Sequence, residues 1–178
     1  AKVAPLTLGF AMNAGMYHDD RRAVGLYIEN GAQTAPLVTR DGPGNFGLLP
    51  NGVLCLTDDS ARVIESLTYE LTGPACRDAT QSGPMLVIGG KLHPRFLPNS
   101  PSVNLRNGVG TTADGRTAIF AISNDAVNFD TFGRYFRDVL KTPDALFLDG
   151  SVSRLYAPAI KRADFGFAAL GPIVGVVQ

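Results

Sequence analysis

Residues 131–153 read TFGRYFRDVLKTPDALFLDGSVS and place a helix, a buried strand and an acidic loop in direct succession. Apolar residues recur at helical spacing in the first half, which predicts a helix over 131–141 with Asp130 as its N-cap. Pro143 ends this helix. The apolar run 145–148 predicts a short buried strand. The stretch therefore indicates that helices and strands share one core.

Turn-forming Asn, Gly and Pro residues divide the rest of the chain into short apolar runs. Four pairs of runs predict β-hairpins: 23–28 with 33–39, 46–49 with 53–57, 84–88 with 91–92, and 117–123 with 126–129. A short helix is predicted over 66–71 with Ser66 as its cap, and residues 97–112 are predicted to be largely loop. We therefore predict an α+β fold with mixed or largely antiparallel sheets and two or three helices, in a single domain covering residues 1–178.

The composition argues against several classes of function. The chain has 178 residues with 16 basic and 16 acidic side chains, a balance that argues against nucleic acid as a partner. No apolar run reaches the roughly 20 residues that a membrane helix needs. Zinc-binding and phosphate-loop motifs are missing, so we predict neither a metal site nor a cofactor. The chain begins at Ala1 instead of Met, as it would after removal of a leader.

The two cysteines, Cys55 and Cys76, leave two interpretations open. In an oxidising compartment they could form a disulfide. They could equally be two separate small buried residues.

Three loops combine glycine with polar side chains suited to chemistry. In the first, Asn13 and His18 offer hydrogen bonds beside Gly15. In the second, glycines flank Arg106, whose planar guanidinium suits a phosphate. In the third, Asp149 directly follows the predicted buried strand, a common position for a reacting carboxylate. Each loop also has a plainer interpretation. Asn13 could simply form a turn with its own backbone, Arg106 could be a solvated side chain in a flexible loop, and Asp149 could cap the turn that follows it.

In their order and spacing these loops resemble the motifs of the phosphodiester glycosidase family, and most of all those of its smaller, exported bacterial members. The matched elements are Asn13-Ala14-Gly15-Met16-Tyr17, Gly44-Asn45-Phe46, Pro50-Asn51-Gly52-Val53, Ser82-Gly83-Pro84-Met85-Leu86, Leu105-Arg106-Asn107-Gly108-Val109-Gly110 and Leu148-Asp149-Gly150-Ser151-Val152-Ser153. Each motif is short, but all of them occur in the family's order. The resemblance extends from Asn13 to the C-terminus.

The resemblance implies a hydrolase that cleaves the glycosidic C–O bond of a sugar-1-phosphodiester. It implies that Asp149 acts as base or nucleophile, that Arg106 holds the phosphate, and that Asn13 orients sugar or phosphate oxygens. Further residues are predicted to bind the substrate: His18, Asn45, Gln81, Ser82, Gly83, Asn107, Gly108, Gly150 and Ser153. We expect the substrate to be a cell-envelope or exported glycoconjugate and the location to be exported, periplasmic or extracellular.

Two other functions stay open. A non-catalytic module that binds envelope phosphoglycans would use the same Arg and Gly loops, and a phosphodiesterase would cleave the P–O bond instead. The sequence also departs from the family. Asn107 stands where the family has Thr, and Ser151 and Val152 replace two glycines, so N-acetylglucosamine is not implied as the sugar. Only twelve residues precede Asn13, which leaves open whether the chain lacks N-terminal strands of the sheet.

Overall fold

The computed structural model describes residues 7–150, 152–167 and 169–178, and within these ranges it contains three sheets and two α-helices. The strands are β1 (Leu8–Asn13), β2 (Tyr27–Glu29), β3 (Ala32–Ala35), β4 (Gly52–Leu56), β5 (Ala61–Glu65), β6 (Asp78–Ser82), β7 (Met85–Ile88), β8 (Lys91–Leu92), β9 (Asn107–Thr111), β10 (Ala118–Ile122), β11 (Asp144–Phe147), β12 (Leu155–Ala157), β13 (Arg162–Ala163) and β14 (Ile173–Val177). The helices are α1 (Ser66–Thr72) and α2 (Phe129–Arg134), which continues into a π-helical turn (Tyr135–Val139); a 3₁₀ turn follows β12 (Pro158–Ile160).

The sheets are antiparallel at every strand pairing among the described residues. The first sheet has the strand order β3-β2-β6-β4-β5, the second β10-β9-β11-β7-β8, and the third β13-β12-β1-β14. The predicted α+β fold with largely antiparallel sheets and two helices is confirmed.

Side chains alternate between the two faces of each strand and form three clusters of core residues. In β4, Leu54 faces a central cluster that joins all three sheets, whereas Val53 and Cys55 face a cluster beneath α1. At β11, Leu146 faces the same central cluster, while Phe147 packs beneath α2. This period of two is expected of strands with both faces covered. The helices therefore lie on the outer faces of the first and second sheets.

Two of the predicted hairpins are confirmed, and their turns explain why. Asn30 and Gly31 join β2 to β3 with φ values of 48° and 78°. Gly89 and Gly90 join β7 to β8 with φ values of 52° and 79°. Two consecutive residues with positive φ suit the right-handed twist of a hairpin, and Asn and Gly adopt that conformation readily.

The other two predicted hairpins are wrong. Residues 46–49 form turns, and β4 pairs instead with β5, a strand that sequence analysis missed. The 117–123 run does form β10, but its partner is β9, which lies inside the segment 97–112 predicted to be loop. Residues 126–129 contribute only a bridge, between Val127 and Asn104, before α2 begins. Gly108 and Gly110 of β9 resemble loop residues in sequence, but a Cβ on either would lie less than 3 Å from a neighbouring buried residue, so the strand needs glycine at these positions.

Both helices form where they were predicted, but with different caps. Glu65 caps α1 by accepting from the backbone N–H groups of Leu67 and Thr68 at 3.0 and 2.9 Å, while Ser66 turns inward and is buried. Asn128 caps α2 through the N–H of Thr131 at 2.9 Å. The expected cap Asp130 instead pairs with Arg134 Nε at 2.7 Å, one helical turn later.

The cysteines form a disulfide that ties β4 to the segment after α1. The Cα atoms of Cys55 and Cys76 are 5.4 Å apart, and both side chains lie in the cluster beneath α1. The structure therefore contains the disulfide, which is one of the two interpretations that the sequence left open for the cysteines.

No helix among the described residues is long and apolar enough to cross a membrane.

Candidate functional site

The chain emerges from the middle strand of the second sheet at Asp149. Between β11 and this residue, Leu148 is fully buried and its backbone N–H donates to the carbonyl of Asn107 at 3.1 Å. The Leu148 carbonyl accepts from Ser82 Oγ at 2.7 Å. Two sequence-predicted residues therefore hold the end of the strand, and the position of Asp149 is fixed by the sheet.

Two buried amide side chains fasten the Asp149 peptide from either side. Asn107 Oδ1 accepts from the Asp149 N–H at 2.8 Å, and Asn107 Nδ2 donates to the carbonyl of Asn13 at 2.8 Å. Asn13 Nδ2 donates to the Asp149 carbonyl at 3.3 Å, and its Oδ1 accepts from the N–H of Arg154 at 2.9 Å. Both amides are almost completely buried. Their geometry is that of residues that position Asp149 through its backbone.

Ser153 closes the loop that follows. Its hydroxyl lies 2.9 Å from the Asp149 carbonyl and 2.6 Å from that of Gly150, and its N–H donates to the Gly150 carbonyl at 3.0 Å. Ser151, one of the two departures from the family motif, lies outside the described residues. A Cβ on Gly150 would lie 2.9 Å from the ring of Phe147, so the close turn needs glycine here.

Arg106 is a buried cation held in place by uncharged groups. Its side chain is 1% exposed, its Nε donates to the carbonyl of Val127 at 2.7 Å and its Nη2 to that of Ser102 at 3.0 Å. The guanidinium carbon lies 3.6 Å from the centre of the Phe129 ring, in cation–π geometry. Burial lowers the pKa of Arg106 to about 10, which still leaves the group charged at neutral pH.

Arg106 and Asp149 line one cavity of about 200 Å³, together with Asn45, Asn104 and Gly150. None of the ion pairs among the described residues joins Arg106 to Asp149. An arginine within ion-pair reach would lower the pKa of Asp149. Instead burial raises this pKa, and a backbone hydrogen bond from Gly150 opposes burial only in part. A positive and a negative group therefore face one recess without neutralising each other.

The structure places several predicted substrate-binding residues away from this cavity. His18 is exposed in a turn, and Ser82 is buried beneath Leu148. Gln81 accepts from the N–H groups of Leu26 and Val38, both at 3.0 Å. It also donates to Val38, Asn51 and Ser66, so its amide is occupied by hydrogen bonds within the protein.

Two predicted glycines are also placed at points of close packing. A Cβ on Gly83 would lie 2.7 Å from the Asn51 Cβ, and one on Gly108, inside β9, would lie 2.8 Å from the Leu146 carbonyl oxygen. These glycines allow backbones and side chains to approach each other closely, and neither lines the cavity.

Sequence analysis missed three features of the site. Asn104 and Met16 line the cavity, and Phe129 stacks on Arg106. Asn104 directly precedes the matched element that begins at Leu105, so its amide was a detectable signal. Phe129 stacks on Arg106 because α2 begins beside the Arg106 side chain, and no motif in the sequence indicates this contact.

The described residues contain no group of three or more His, Cys, Asp or Glu side chains that could hold a metal ion.

Comparisons with known proteins found a matching family profile, a curated relative and a solved structure of similar fold. The sequence profile of phosphodiester glycosidase matches residues 7–175. A protein of Escherichia coli (strain K12) named "Uncharacterized protein YigE" is 39% identical over 146 residues, which are 82% of this chain and 57% of that protein.

Among solved structures, the catalytic domain of zebrafish N-acetylglucosamine-1-phosphodiester alpha-N-acetylglucosaminidase, auto-inhibited by its pro-peptide, superposes with a TM-score of 0.61. The superposition covers 84% of this chain and 53% of that chain at 15% identity, and at this identity it supports the fold alone. The chain spans about half the length of these two relatives.

Proposed function

The chain belongs to the phosphodiester glycosidase family, and from this premise we propose that it hydrolyses the glycosidic C–O bond of a sugar-1-phosphodiester. The observation that carries the proposal is the shared cavity of Arg106 and Asp149. A phosphodiester brings one negative charge, which Arg106 can neutralise. The neighbouring sugar carbon develops positive charge as the bond breaks, which a carboxylate can stabilise.

In the proposed reaction, the bond between the sugar C1 and the phosphate oxygen breaks, and both electrons remain with that oxygen. A water oxygen bonds to C1 and loses a proton to Asp149 or to solvent. The products are the free sugar and a phosphomonoester. The phosphomonoester is a good leaving group, so Arg106 needs only to stabilise its charge.

The raised pKa of Asp149 supports the role of base in this scheme. A carboxylate with a higher pKa accepts a proton more readily, provided that it is ionised at the working pH. Asn13 and Asn107 support the reaction indirectly, because they fix the backbone on both sides of Asp149. Asn45 and Asn104 line the cavity and can donate to substrate oxygens.

We further propose that the protein acts outside the cytoplasm on an envelope or exported glycoconjugate. The disulfide between Cys55 and Cys76 supports this, since structural disulfides persist mainly in oxidising compartments. Fractionation of the host cells would test the location. Recovery of the protein only with cytoplasmic markers would contradict it.

The activity can be tested with methyl diesters of sugar-1-phosphates. N-acetylglucosamine is the first sugar to try, because the zebrafish protein is named for it, followed by glucose, galactose and mannose. In water enriched in ¹⁸O, cleavage of the C–O bond puts the label in the sugar. Label in the phosphate would mean P–O cleavage and would replace the proposal by a phosphodiesterase. Binding of these diesters without turnover would favour a non-catalytic module.

A further inference from the structure

Arg106 carries a buried positive charge that no carboxylate neutralises. None of the ion pairs among the described residues includes it, although the residue is only 1% exposed. Buried charges in proteins are usually paired, because burial removes the water that would otherwise stabilise them. The groups that stabilise this guanidinium in place of a carboxylate therefore determine how much of it remains available to a ligand.

Two carbonyls and one aromatic ring hold the guanidinium. Its Nε and Nη2 donate to the carbonyls of Val127 and Ser102, and the ring of Phe129 covers one face, with its centre 3.6 Å from the guanidinium carbon. A guanidinium has five N–H donors. Those on Nη1 and the second one on Nη2 have no hydrogen-bond partner in the part of the chain that the structure describes. They are available to an anion.

The ring of Phe129 belongs to a stack of three rings behind Arg106. Phe96 stacks on Phe129 with 5.1 Å between ring centres and 7° between ring planes, and His93 stacks on Phe96 at 4.8 Å and 23°. The guanidinium makes cation–π contacts with Phe129 and Phe147 but none with Phe96, so Phe96 covers the face of Phe129 that Arg106 leaves open. Phe129 is therefore held between the cation and a second ring.

The far end of the stack is an anchored ring without charge. His93 is buried, its Nδ1 accepts from the N–H of Arg95 at 3.2 Å, and its Nε2 lies 3.0 Å from the carbonyl of Leu49, to which the neutral ring donates. Burial lowers the pKa of His93, which favours the neutral form. The stack therefore presents ring faces to Arg106 and adds no second positive charge behind it.

Phe147 connects the stack to the strand that leads to Asp149. Its ring is perpendicular to that of Phe129, with 4.9 Å between centres, and its centre lies 5.5 Å from the guanidinium carbon of Arg106. Phe147 ends β11 two residues before Asp149, and it lines the cavity with Arg106 and Asp149. The contact between the two phenylalanines thus fixes the guanidinium relative to Asp149. Because so little of Arg106 is exposed, a small displacement would withdraw its free N–H groups from the cavity.

We propose that Phe129 is a positioning residue for phosphate binding, which holds the Arg106 guanidinium where its free N–H groups meet an anion in the cavity. The face of the ring stabilises the cation as a carboxylate would, but it leaves the positive charge for the ligand to neutralise. That the anion is the phosphate of the substrate rests on the proposed function, whereas anion binding itself can be measured without turnover.

The test is the affinity for inorganic phosphate, measured by titration calorimetry at an ionic strength kept constant with chloride. Phe129→Leu retains an apolar side chain but removes the ring face, and we expect phosphate to bind about 3- to 30-fold more weakly, the range of a cation–π contact. Phe129→Tyr retains the ring, and its affinity should stay within about twofold of that of the wild type. Phe129→Met replaces the Leu variant if that variant does not fold.

Phe132→Leu is the matched control. Phe132 lies on the same helix, is 4% exposed, belongs to the core cluster against which Phe129 packs, and does not line the cavity. Its replacement should lower stability but leave the phosphate affinity unchanged. Equal losses of affinity in Phe129→Leu and Phe132→Leu would show that the effect comes from a loosened core. That outcome, an unchanged affinity in Phe129→Leu, or a Tyr variant as weak as the Leu variant would each refute the positioning role, as would a wild type that binds no phosphate.

Turnover distinguishes the positioning role from the proposed function. If sugar-1-phosphodiesters are not hydrolysed but phosphate binding depends on the ring at residue 129, the positioning role stands and the enzymatic proposal fails. If the diesters are hydrolysed and Phe129→Leu binds phosphate as tightly as the wild type, the enzyme stands and the positioning role fails.

Discussion

Replacing Arg106 by Met tests whether the buried cation exists for an anionic ligand. Met retains an unbranched apolar chain that can lie against Phe129, but it removes the charge and both side-chain hydrogen bonds. If Arg106 serves only the fold, this change should destabilise the protein strongly. If it serves a phosphate, the change should affect ligand binding far more than stability.

The structure allows the stability effect to be estimated. Burial lowers the pKa of Arg106 to about 10, well below that of a free arginine, which corresponds to roughly 3 kcal/mol of destabilisation at neutral pH, where the side chain is charged. Replacement by Met removes this destabilisation, because the Met side chain carries no charge. It also leaves the carbonyls of Val127 and Ser102 without their donor, at a cost of about 1–3 kcal/mol each. The two carbonyls together cost about 2–6 kcal/mol, so the net change should lie between about 1 kcal/mol of stabilisation and about 3 kcal/mol of destabilisation.

Phosphate binding should respond quite differently. Hydrogen bonds to a charged group are worth about 1.5–3 kcal/mol, which corresponds to roughly a 10- to 100-fold loss of affinity. The assay is thermal melting with increasing inorganic phosphate, at constant ionic strength set with chloride. We expect phosphate to raise the melting temperature of the wild type but not that of Arg106→Met, because only a ligand that binds the folded state stabilises it.

An exposed arginine provides the control. Arg116 does not line the cavity, and Arg116→Met should respond to phosphate as the wild type does. Equal phosphate responses in the wild type and Arg106→Met would refute the phosphate role. A loss of stability well above 4 kcal/mol in Arg106→Met would show that the guanidinium is needed by the fold itself.

Three further changes test the remaining parts of the site and fold. Asp149→Asn should slow turnover about 10²–10⁴-fold. Burial raises the pKa of Asp149. The stability that the protonated carboxyl contributes is therefore fully present below pH 3.8, and it is lost as the pH rises through the higher pKa of the folded state. The variant should therefore melt at the same or a higher temperature at pH 7, with the difference vanishing in acid, and a lower melting temperature at pH 7 would contradict this. Asn107→Ala should reduce both kcat and the free energy of unfolding, the latter by about 1–3 kcal/mol in urea titrations, and an unchanged kcat would exclude it as a positioning residue. Joint replacement of Cys55 and Cys76 by Ala should lower the free energy of unfolding by about 3 kcal/mol, given a sequence separation of 21 residues, and should leave kcat unchanged.

The sequence predicted elements best where the signal was local. Asn30-Gly31 and Gly89-Gly90 specify their turns by backbone conformation alone, and both hairpins formed. The pairing of β10 with β9 could not be predicted in this way. The glycines of β9 resemble a loop in sequence, and only the packing of Gly108 against Leu146 explains why they belong to a buried strand.

The candidate site was predicted unevenly for a similar reason. Arg106 and Asp149 were identified from residue type and motif order, and the structure brings them to one cavity. The motifs could not reveal which polar side chains point outward. Ser82 begins a matched element and Gln81 directly precedes it, yet both lie in β6 and make hydrogen bonds inside the protein. Asn13 likewise meets Asp149 through the backbone carbonyl, a distinction that depends on atomic geometry.

The pairing of β1 with β14 has a consequence for biosynthesis. Asn13 lies opposite Ile173, and the N–H of Ala14 donates to the carbonyl of Pro172 at 2.8 Å. Residue 173 is translated 160 residues after residue 13 (173 − 13), a delay of about 8–32 s at roughly 5–20 residues per second. Until then β1 lacks one of its two neighbours, and the hydrogen bond that Ala14 donates beside Asn13 has no acceptor. In a nascent chain, the end of β1 at Asn13 therefore stays without one flanking strand until β14 has left the ribosome and docked beside it.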